Sequence, residues 1–132
     1  MMTMCSDRNT KQANPKVKTN QFPQKTVFYS TKFSVSFAAT AFGKGTYFAV
    51  NSSYSANKTY SPLDSKGQQH IIQARVATGD FHIGNQSMVA PPPKHGQSDL
   101  YDSLVDNVNN PTIFVIFRDD QAYPEYVISF SL

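Results

Sequence analysis

A continuous apolar run, Ile113–Phe117, limits the folds that are open to this chain. A strand without polar positions is typical of the centre of a sheet, where both of its faces are covered. The segment His70–Thr78 alternates instead, which predicts a strand with one buried face. We expect that face to carry Ile72, Ala74 and Val76. These two patterns make a β-sheet the main element of the fold.

The other strand signals lie on either side of these two. Residues Thr26–Phe37 are rich in β-branched and aromatic side chains, which predicts one or two strands. Residues Ala41–Ala49 predict a loop that runs into a short strand, and Tyr126–Leu132 predicts the last strand. The fold class that follows is α+β, predominantly antiparallel β.

Helix signals are few in this sequence. Asn51 or Ser52 is a suitable N-cap for a short helix across Ser53–Lys58. The segment Ser61–Gly67 contains both Pro and Gly and predicts a turn. We therefore expect one or two short helices between the strands.

The N-terminal segment differs in composition from the rest of the chain. At 132 residues the chain has room for one domain. Residues 1–25 are polar and show no periodicity, so we expect them to be disordered. We divide the chain into a basic polar segment, 1–36, and a domain, 37–132. The charged residues of the first segment are Arg8, Lys11, Lys16, Lys18, Lys25 and Lys32 against Asp7, a net charge of +5.

The charge and cysteine content narrow the expected partners. A basic segment allows electrostatic, non-specific contacts with nucleic acid. We prefer the interpretation of a solvated tail, so nucleic acid is not among the expected partners. The single cysteine, Cys5, permits no internal disulfide and suits a nuclear or cytoplasmic location. No apolar stretch reaches the length of a membrane span, and no membrane partner is expected.

The segment Gly43–Ala49 and the residues after it suit a site that grips a flat, polar aromatic ring. Two glycines flank a lysine and permit close approach of the backbone to a ligand, and an aromatic pair follows. Tyr54, Ser55 and Tyr60 come next. Aromatic rings can stack on such a ligand, and a hydroxyl can hydrogen-bond an amide. Taken alone, the Gly-x-Gly is more often a simple turn, and neither a P-loop nor a dinucleotide-binding fingerprint is present.

This segment resembles the nicotinamide pocket of the catalytic domain of the poly/mono-ADP-ribosyltransferases (PARPs). Two C-terminal segments, Pro111–Phe117 and Gln121–Ile128, resemble the closing strands of that family. The resemblance covers residues 37–132 and is greatest to the mono-ADP-ribosylating, macrodomain-associated members. It implies part of the ADP-ribosyltransferase fold, with NAD as co-substrate.

The resemblance also implies a role for each residue of the segment. Tyr47 would be the second member of the family's His-Tyr-X triad and would pack against the nicotinamide side of NAD. Ser55 would hydrogen-bond the carboxamide, Tyr60 would stack on the nicotinamide face, and Tyr54 would line the same wall. The implied NAD-binding residues are Gly43, Gly45, Tyr47, Phe48, Ala49, Tyr54, Ser55 and Tyr60.

Ile113 falls where the family has its third triad residue, which is a Glu in polymer-forming members. An aliphatic side chain accepts no hydrogen bond, so the resemblance implies transfer of a single ADP-ribose to protein acceptors, with nicotinamide as product. Glu125 does not occupy that position and is interpreted as structural. The predicted enzyme is an NAD-dependent mono-ADP-ribosyltransferase, a glycosyltransferase, with Tyr47 and Ile113 at its catalytic positions.

The family's triad histidine has no counterpart at the expected place. All three histidines, His70, His82 and His95, follow Tyr47 in the chain, and their spacing does not suit a metal, so no metal is predicted. We therefore interpret the chain as the C-terminal half of the domain, from a truncated gene model, a splice form or a degenerate paralogue. The alternative function is a catalytically inactive NAD- or nicotinamide-binding scaffold.

Overall fold

The computed structural model describes residues 2–6, 23–30 and 40–131. Within these residues α1 (Ser52–Ser55) is a helix of 4 residues, and a 3₁₀ helix covers Asp119–Gln121. The strands are β1 (Met2–Ser6), β2 (Gln24–Ser30), β3 (Thr46–Ala49), β4 (Gln69–Ala77), β5 (Phe81–Ile83), β6 (Ser103–Val105), β7 (Ile113–Ile116) and β8 (Ala122–Phe130).

The strands form one sheet in the order β1-β8-β4-β2-β3-β7-β6-β5. The pairs along it are antiparallel, apart from the parallel pair of β5 with β6. Strand β7 lies between β3 and β6, and each of its side chains is buried, as the apolar run predicts. The predicted class, predominantly antiparallel β with little helix, is confirmed.

The central strands bury side chains on both faces of the sheet. In register, Phe48 lies opposite Phe114, and Ala49 lies opposite Ile113. Because successive side chains of a strand point to opposite faces, these two pairs belong to different faces. The core face carries the buried residues Val27, Phe48, Ala74, Val76, Val105, Phe114 and Ile116. The site face carries Ala49, Leu104, Ile113 and Val115, with Phe42, Tyr47, Met88 and Phe117 packed against them.

Strand β4 departs from the predicted single buried face. Ala74 and Val76 are fully buried, as predicted, but Ile72 is only half-buried. Gln69 and Ile71, on the opposite face, are buried as well. The amide of Gln69 donates hydrogen bonds to the loop after α1, which covers this end of the strand. Alternation alone could not reveal that cover, because it comes from a segment elsewhere in the chain.

The N-terminal segment contributes one strand that its composition did not indicate, β1, and one that it did, β2. Met2–Ser6 was expected to be disordered, but it forms β1 and pairs with β8 along its whole length. Backbone hydrogen bonds to a sheet edge require no side-chain pattern, which explains why the pattern missed it. Strand β2 lies inside the sheet between β4 and β3. The division into 1–36 and 37–132 stays a prediction, since much of 1–36 and the predicted strand after Ser30 lie outside the described residues.

The remaining predicted elements shift at their ends. Strand β8 begins at Ala122, before the predicted Tyr126, and continues through Pro124 next to a register shift opposite Gln73 and Ala74. A proline is tolerated at such an irregularity because no ladder hydrogen bond is lost there. Helix α1 ends at Ser55 rather than Lys58. In the part of the chain that the structure describes, no helix is long and apolar enough to cross a membrane.

Candidate active site

Tyr47 lies on the site face and is held by the glycine loop that precedes it. Its hydroxyl donates to the carbonyl oxygen of Gly43 at 2.7 Å and accepts from the N–H of Phe42 at 3.0 Å. Gly43 has φ +131°, a conformation that L side chains rarely adopt, so the return of the loop toward the ring depends on glycine. Burial raises the pKa of the Tyr47 phenol, against the lowering effect of its two backbone hydrogen bonds. The site therefore presents a neutral, fixed hydroxyl.

Gly45 brings the same loop into contact with β7. A Cβ atom there would lie 2.6 Å from the carbonyl oxygen of Ile116 and 2.8 Å from a methyl carbon of Val115, closer than side chains pack. Between the two glycines, Lys44 is exposed, and its N–H donates to the carbonyl oxygen of Met88 at 2.9 Å. The backbone of the glycine loop is thus fixed from two sides.

Phe48 and Ala49, also predicted to bind NAD, are buried parts of the sheet. Phe48 is 3% exposed, and its ring meets the edge of Tyr29 at a centroid distance of 5.1 Å on the core face. The structure therefore does not bring its side chain together with Tyr47. Ala49 is 2% exposed and lies on the site face beside Ile113.

The wall segment, residues 52–61, contains α1 and the two tyrosines predicted to line the ring site. The rings of Tyr54 and Tyr60 stack with centroids 5.2 Å apart and planes inclined by 20°. Their hydroxyls are 3.2 Å apart and share a hydrogen bond. Burial, followed by this hydrogen bond, raises the pKa of Tyr54 to about 12. The predicted wall is therefore a stacked aromatic pair in which the Tyr54 hydroxyl stays protonated near neutral pH.

Ser55 fixes the wall segment to the sheet. Its side chain is 4% exposed, and its hydroxyl donates to the carbonyl oxygen of Phe28, in β2, at 3.1 Å. The oxygen retains a free acceptor position, because a hydroxyl has two lone pairs. Donation to a carboxamide carbonyl, the role that the resemblance implies, requires the hydroxyl to turn away from Phe28.

Ile113 begins β7 and is 5% exposed. The carboxylate of Asp106 accepts the backbone N–H groups of Thr112 and Ile113 at 2.9 and 3.0 Å, together with the Thr112 hydroxyl. Burial, the largest single influence, raises the pKa of Asp106, but these hydrogen bonds together outweigh it and lower the pKa below its usual value. The third triad position is therefore an apolar side chain on a firmly anchored strand end.

The histidines lie in other surroundings. His70 is 2.8 Å from the carboxylate of Asp64 and 2.8 Å from the Ser129 hydroxyl. His82 packs against the ring of Tyr101 at a centroid distance of 5.1 Å, and His95 is exposed. Among the described residues, no three His, Cys, Asp or Glu side chains form a group that could hold a metal ion.

Three residues that support the site were missed by sequence reasoning. Phe28 supplies the carbonyl for Ser55, Asp106 anchors the strand end at Ile113, and Gln69 donates to two carbonyls of the wall segment. Phe28 contacts Ser55, 27 positions away, and Gln69 reaches residues 8 and 13 positions away in a different segment, so a local pattern indicates neither contact. Asp106 lies 7 positions before Ile113, at the start of the loop into β7, where a local turn signal could have indicated it.

The fold and the site together define a class: an antiparallel β domain with a glycine loop, a fixed tyrosine and an aromatic wall suited to a flat ring. The sequence matches the family described as the poly(ADP-ribose) polymerase catalytic domain over residues 28–103. The chain belongs to this family. Among solved structures, it is similar to the PARP domain of Arabidopsis RADICAL-INDUCED CELL DEATH1, with a TM-score of 0.64 and 18% identity over 84% of this chain and 69% of that one. That likeness concerns the fold.

Curated relatives carry a more specific description. The chain is 55% identical over 94 residues to the human protein mono-ADP-ribosyltransferase PARP14, and 47% identical over 93 residues to mouse PARP12. It is 43% identical over 91 residues to mouse PARP10, which is also described as a protein mono-ADP-ribosyltransferase. These matches cover 70%, 70% and 68% of this chain but only 5%, 13% and 10% of the three relatives.

Proposed function

We propose that this chain forms the nicotinamide side of an NAD site and serves the transfer of a single ADP-ribose from NAD to protein acceptors. The observation that carries the proposal is the stacked pair of Tyr54 and Tyr60 beside the buried hydroxyl of Ser55. The matched relatives described as mono-ADP-ribosyltransferases support the same reaction class. We also propose that NAD is the co-substrate, that proteins are the acceptors, and that the chain acts in the nucleus or cytoplasm.

The residues present fit a nicotinamide ring. A flat aromatic ring gains about 0.5–1.5 kcal/mol from offset stacking on a tyrosine, in addition to the gain from the apolar surface that both rings bury. A carboxamide can receive the Ser55 hydroxyl hydrogen at its oxygen. Tyr54, with its pKa raised to about 12, stays neutral, so its hydroxyl adds no charge that would require solvation beside the bound ring. Bound NAD would supply the ADP-ribosyl group and the nicotinamide leaving group.

Single transfer rather than polymer formation follows from the apolar third position. Ile113 offers no acceptor for a ribose hydroxyl, and its backbone N–H is taken by Asp106. The carboxylate of Asp106 is thus engaged in holding the backbone at this strand end. In the proposed reaction, an acceptor oxygen bonds to the anomeric carbon while the carbon–nitrogen bond to nicotinamide breaks.

A second function, an inactive nicotinamide-binding scaffold, is favoured by one observation. All three histidines follow Tyr47 in the sequence, and His70 is held by Asp64 and Ser129. The Tyr47 hydroxyl is hydrogen-bonded to the backbone of Phe42 and Gly43. A chain with the aromatic wall but without a histidine at the ribose would bind nicotinamide and transfer nothing.

Calorimetric titration with NAD and with nicotinamide tests the proposal. We expect saturable binding, with an affinity that falls at least tenfold in Tyr60→Ala. The control is Tyr123→Ala, which truncates an exposed tyrosine of β8 outside the wall segment and should leave the affinity within twofold. Automodification measured in the same samples separates enzyme from scaffold, and Tyr47→Ala should abolish it. If neither NAD nor nicotinamide binds, both proposed functions are wrong.

A further inference from the structure

We propose that Gln69 is a positioning residue that sets the placement of the aromatic wall. This inference rests on the proposed function for its ligand, nicotinamide, but its structural part stands on contacts of the chain alone. Gln69 is fully buried, although glutamine is usually exposed. A polar side chain in that position is retained where it makes hydrogen bonds that nothing else supplies.

The amide of Gln69 joins two distant points of the wall segment. Its Nε2 donates to the carbonyl oxygen of Ala56 at 2.7 Å and to that of Ser61 at 2.6 Å. Ala56 directly follows Ser55, and Ser61 directly follows Tyr60. One side chain therefore holds the peptide groups next to both residues that are predicted to contact nicotinamide.

Besides Gln69, the hydroxyl of Ser55 connects the wall segment to the sheet, through the carbonyl oxygen of Phe28. Inside the segment, local backbone hydrogen bonds shape the turn: Ala56 donates to Ser52, and both Tyr60 and Ser61 donate to Asn57. Each of these bonds spans a single turn, so they do not fix the turn that carries Tyr54 relative to the turn that carries Tyr60, or either turn relative to the sheet. A helix of 4 residues without a side-chain cap adds little rigidity of its own.

Gln69 itself is firmly placed. Its backbone is part of β4, where it lies opposite Phe130 of β8. Immediately before it, the carboxylate of Asp64 accepts the N–H groups of Lys66 and Gln68 at 2.8 and 2.9 Å, which fixes the turn into the strand. The side chain thus transmits the position of the sheet to the wall segment.

Both hydrogens of the Gln69 amide are used in this way. The amide nitrogen has two donor positions, and they are directed to the carbonyl oxygens of Ala56 and Ser61. The donor capacity of this side chain is therefore committed to the wall segment.

Gln69→Met tests the inference because it keeps the length of the side chain and removes both donors. The matched control is Gln121→Met, since Gln121 also donates through Nε2 to two backbone carbonyls, Ala77 at 3.2 Å and Asp102 at 2.7 Å, outside the wall segment. Three quantities are measured in each protein: nicotinamide affinity by calorimetry, the nuclear Overhauser effect between the rings of Tyr54 and Tyr60, and the melting temperature.

We expect Gln69→Met to weaken nicotinamide binding at least tenfold and to abolish the ring contact, while Gln121→Met leaves affinity within twofold at a comparable loss of melting temperature. Equal effects of the two substitutions, or an intact ring contact in Gln69→Met, would overturn the positioning role. If the unchanged protein binds no nicotinamide, the proposed function fails. The ring contact then still decides the role of Gln69.

A second variant covers the case in which Gln69→Met does not fold. In Gln69→Glu the introduced carboxyl can donate one hydrogen bond when protonated and none when ionised. The ring contact should therefore be present at low pH and be lost as the pH rises through the titration of that group. A contact that is independent of pH would contradict the inference.

Discussion

The β3–β7 pair and the wall segment both contribute candidate site residues, but they are held in place by different means. The four residues of β3 pair in register with the four of β7, and every side chain of β7 is buried. The wall segment has a helix of 4 residues, and much of its surface is exposed. The hydroxyl of Ser55 and the amide of Gln69 connect it to the sheet by side-chain hydrogen bonds, and α1 also contacts β2 and β3.

The two regions therefore have different roles in the site: the sheet fixes the Tyr47 hydroxyl, and the wall segment supplies the aromatic ring of Tyr60. Tyr47 lies on a strand whose position follows from the packing of the whole sheet, so its hydroxyl stays fixed. Tyr60 lies on a segment that a few hydrogen bonds connect to that sheet, and such segments open at low free-energy cost. We therefore expect substitutions in the β3–β7 pair to affect stability, and substitutions in the wall segment to affect ligand binding.

The largest effect expected from this comparison is that of Phe114→Ala. Phe114 is fully buried on the core face and packs against the edge of Phe81. Its truncation should lower the free energy of unfolding by about 3–5 kcal/mol, measured by urea denaturation. Tyr60→Ala, in the half-exposed wall segment, should lower it by less than about 1 kcal/mol. Similar losses for both would remove the distinction between the two regions.

A smaller effect is expected at the contact between the glycine loop and β7. Gly45→Ala places a methyl group 2.6 Å from the carbonyl oxygen of Ile116, which is backbone and cannot rotate away. The loss of unfolding free energy should be about 1–3 kcal/mol. Lys44→Ala, at the exposed neighbouring position, serves as the control and should change it by less than about 0.5 kcal/mol. An unaffected Gly45→Ala protein would show that the loop is not pressed against the strand.

The same comparison explains how much could be predicted from sequence. The apolar run at Ile113 and the alternation around Ala74 are local properties of side chains, so they identified the buried strands. These strand patterns depend on few residues that lie near one another in the chain. The wall residues Tyr54, Ser55 and Tyr60 were predicted through the family resemblance. The stacking of Tyr54 on Tyr60 was not predicted, although the two residues lie close in sequence.

The other features that were not predicted depend on contacts between distant residues. The burial of Gln69 follows from the loop that covers it, and the strand at Met2–Ser6 follows from the free edge of β8. The opposite placement of Phe48 and Tyr47 is visible in strand alternation, but the family resemblance grouped both residues as NAD-binding. Geometry of the sheet separates them.

Acid should weaken the turn that joins the wall segment to β4. The hydrogen bond from His70, followed by backbone hydrogen bonds, lowers the pKa of Asp64 from 3.8 to about 2. A carboxyl with a lowered folded-state pKa stabilises the fold above its unfolded-state pKa, and this contribution is lost as the pH falls from about 4 towards 2. Between pH 4 and pH 2 the melting temperature of Asp64→Asn should therefore fall less than that of the unchanged protein. A parallel decline in both proteins would exclude Asp64 as its source.

The smallest effect is expected within the wall itself, from Tyr54→Phe. This change keeps the stacked ring and removes the shared hydrogen bond with Tyr60, which is exposed to solvent and should contribute less than about 0.5 kcal/mol. Because the folded-state pKa of Tyr54 is raised from 10.0 to about 12, its stabilising contribution is present below pH 10 and is lost as the pH rises towards 12. Absorbance titration of the phenols should accordingly lose its highest step in Tyr54→Phe, whereas Tyr123→Phe should retain it. If nicotinamide affinity also stays within twofold in Tyr54→Phe, the wall acts through its stacked rings rather than through its hydroxyls.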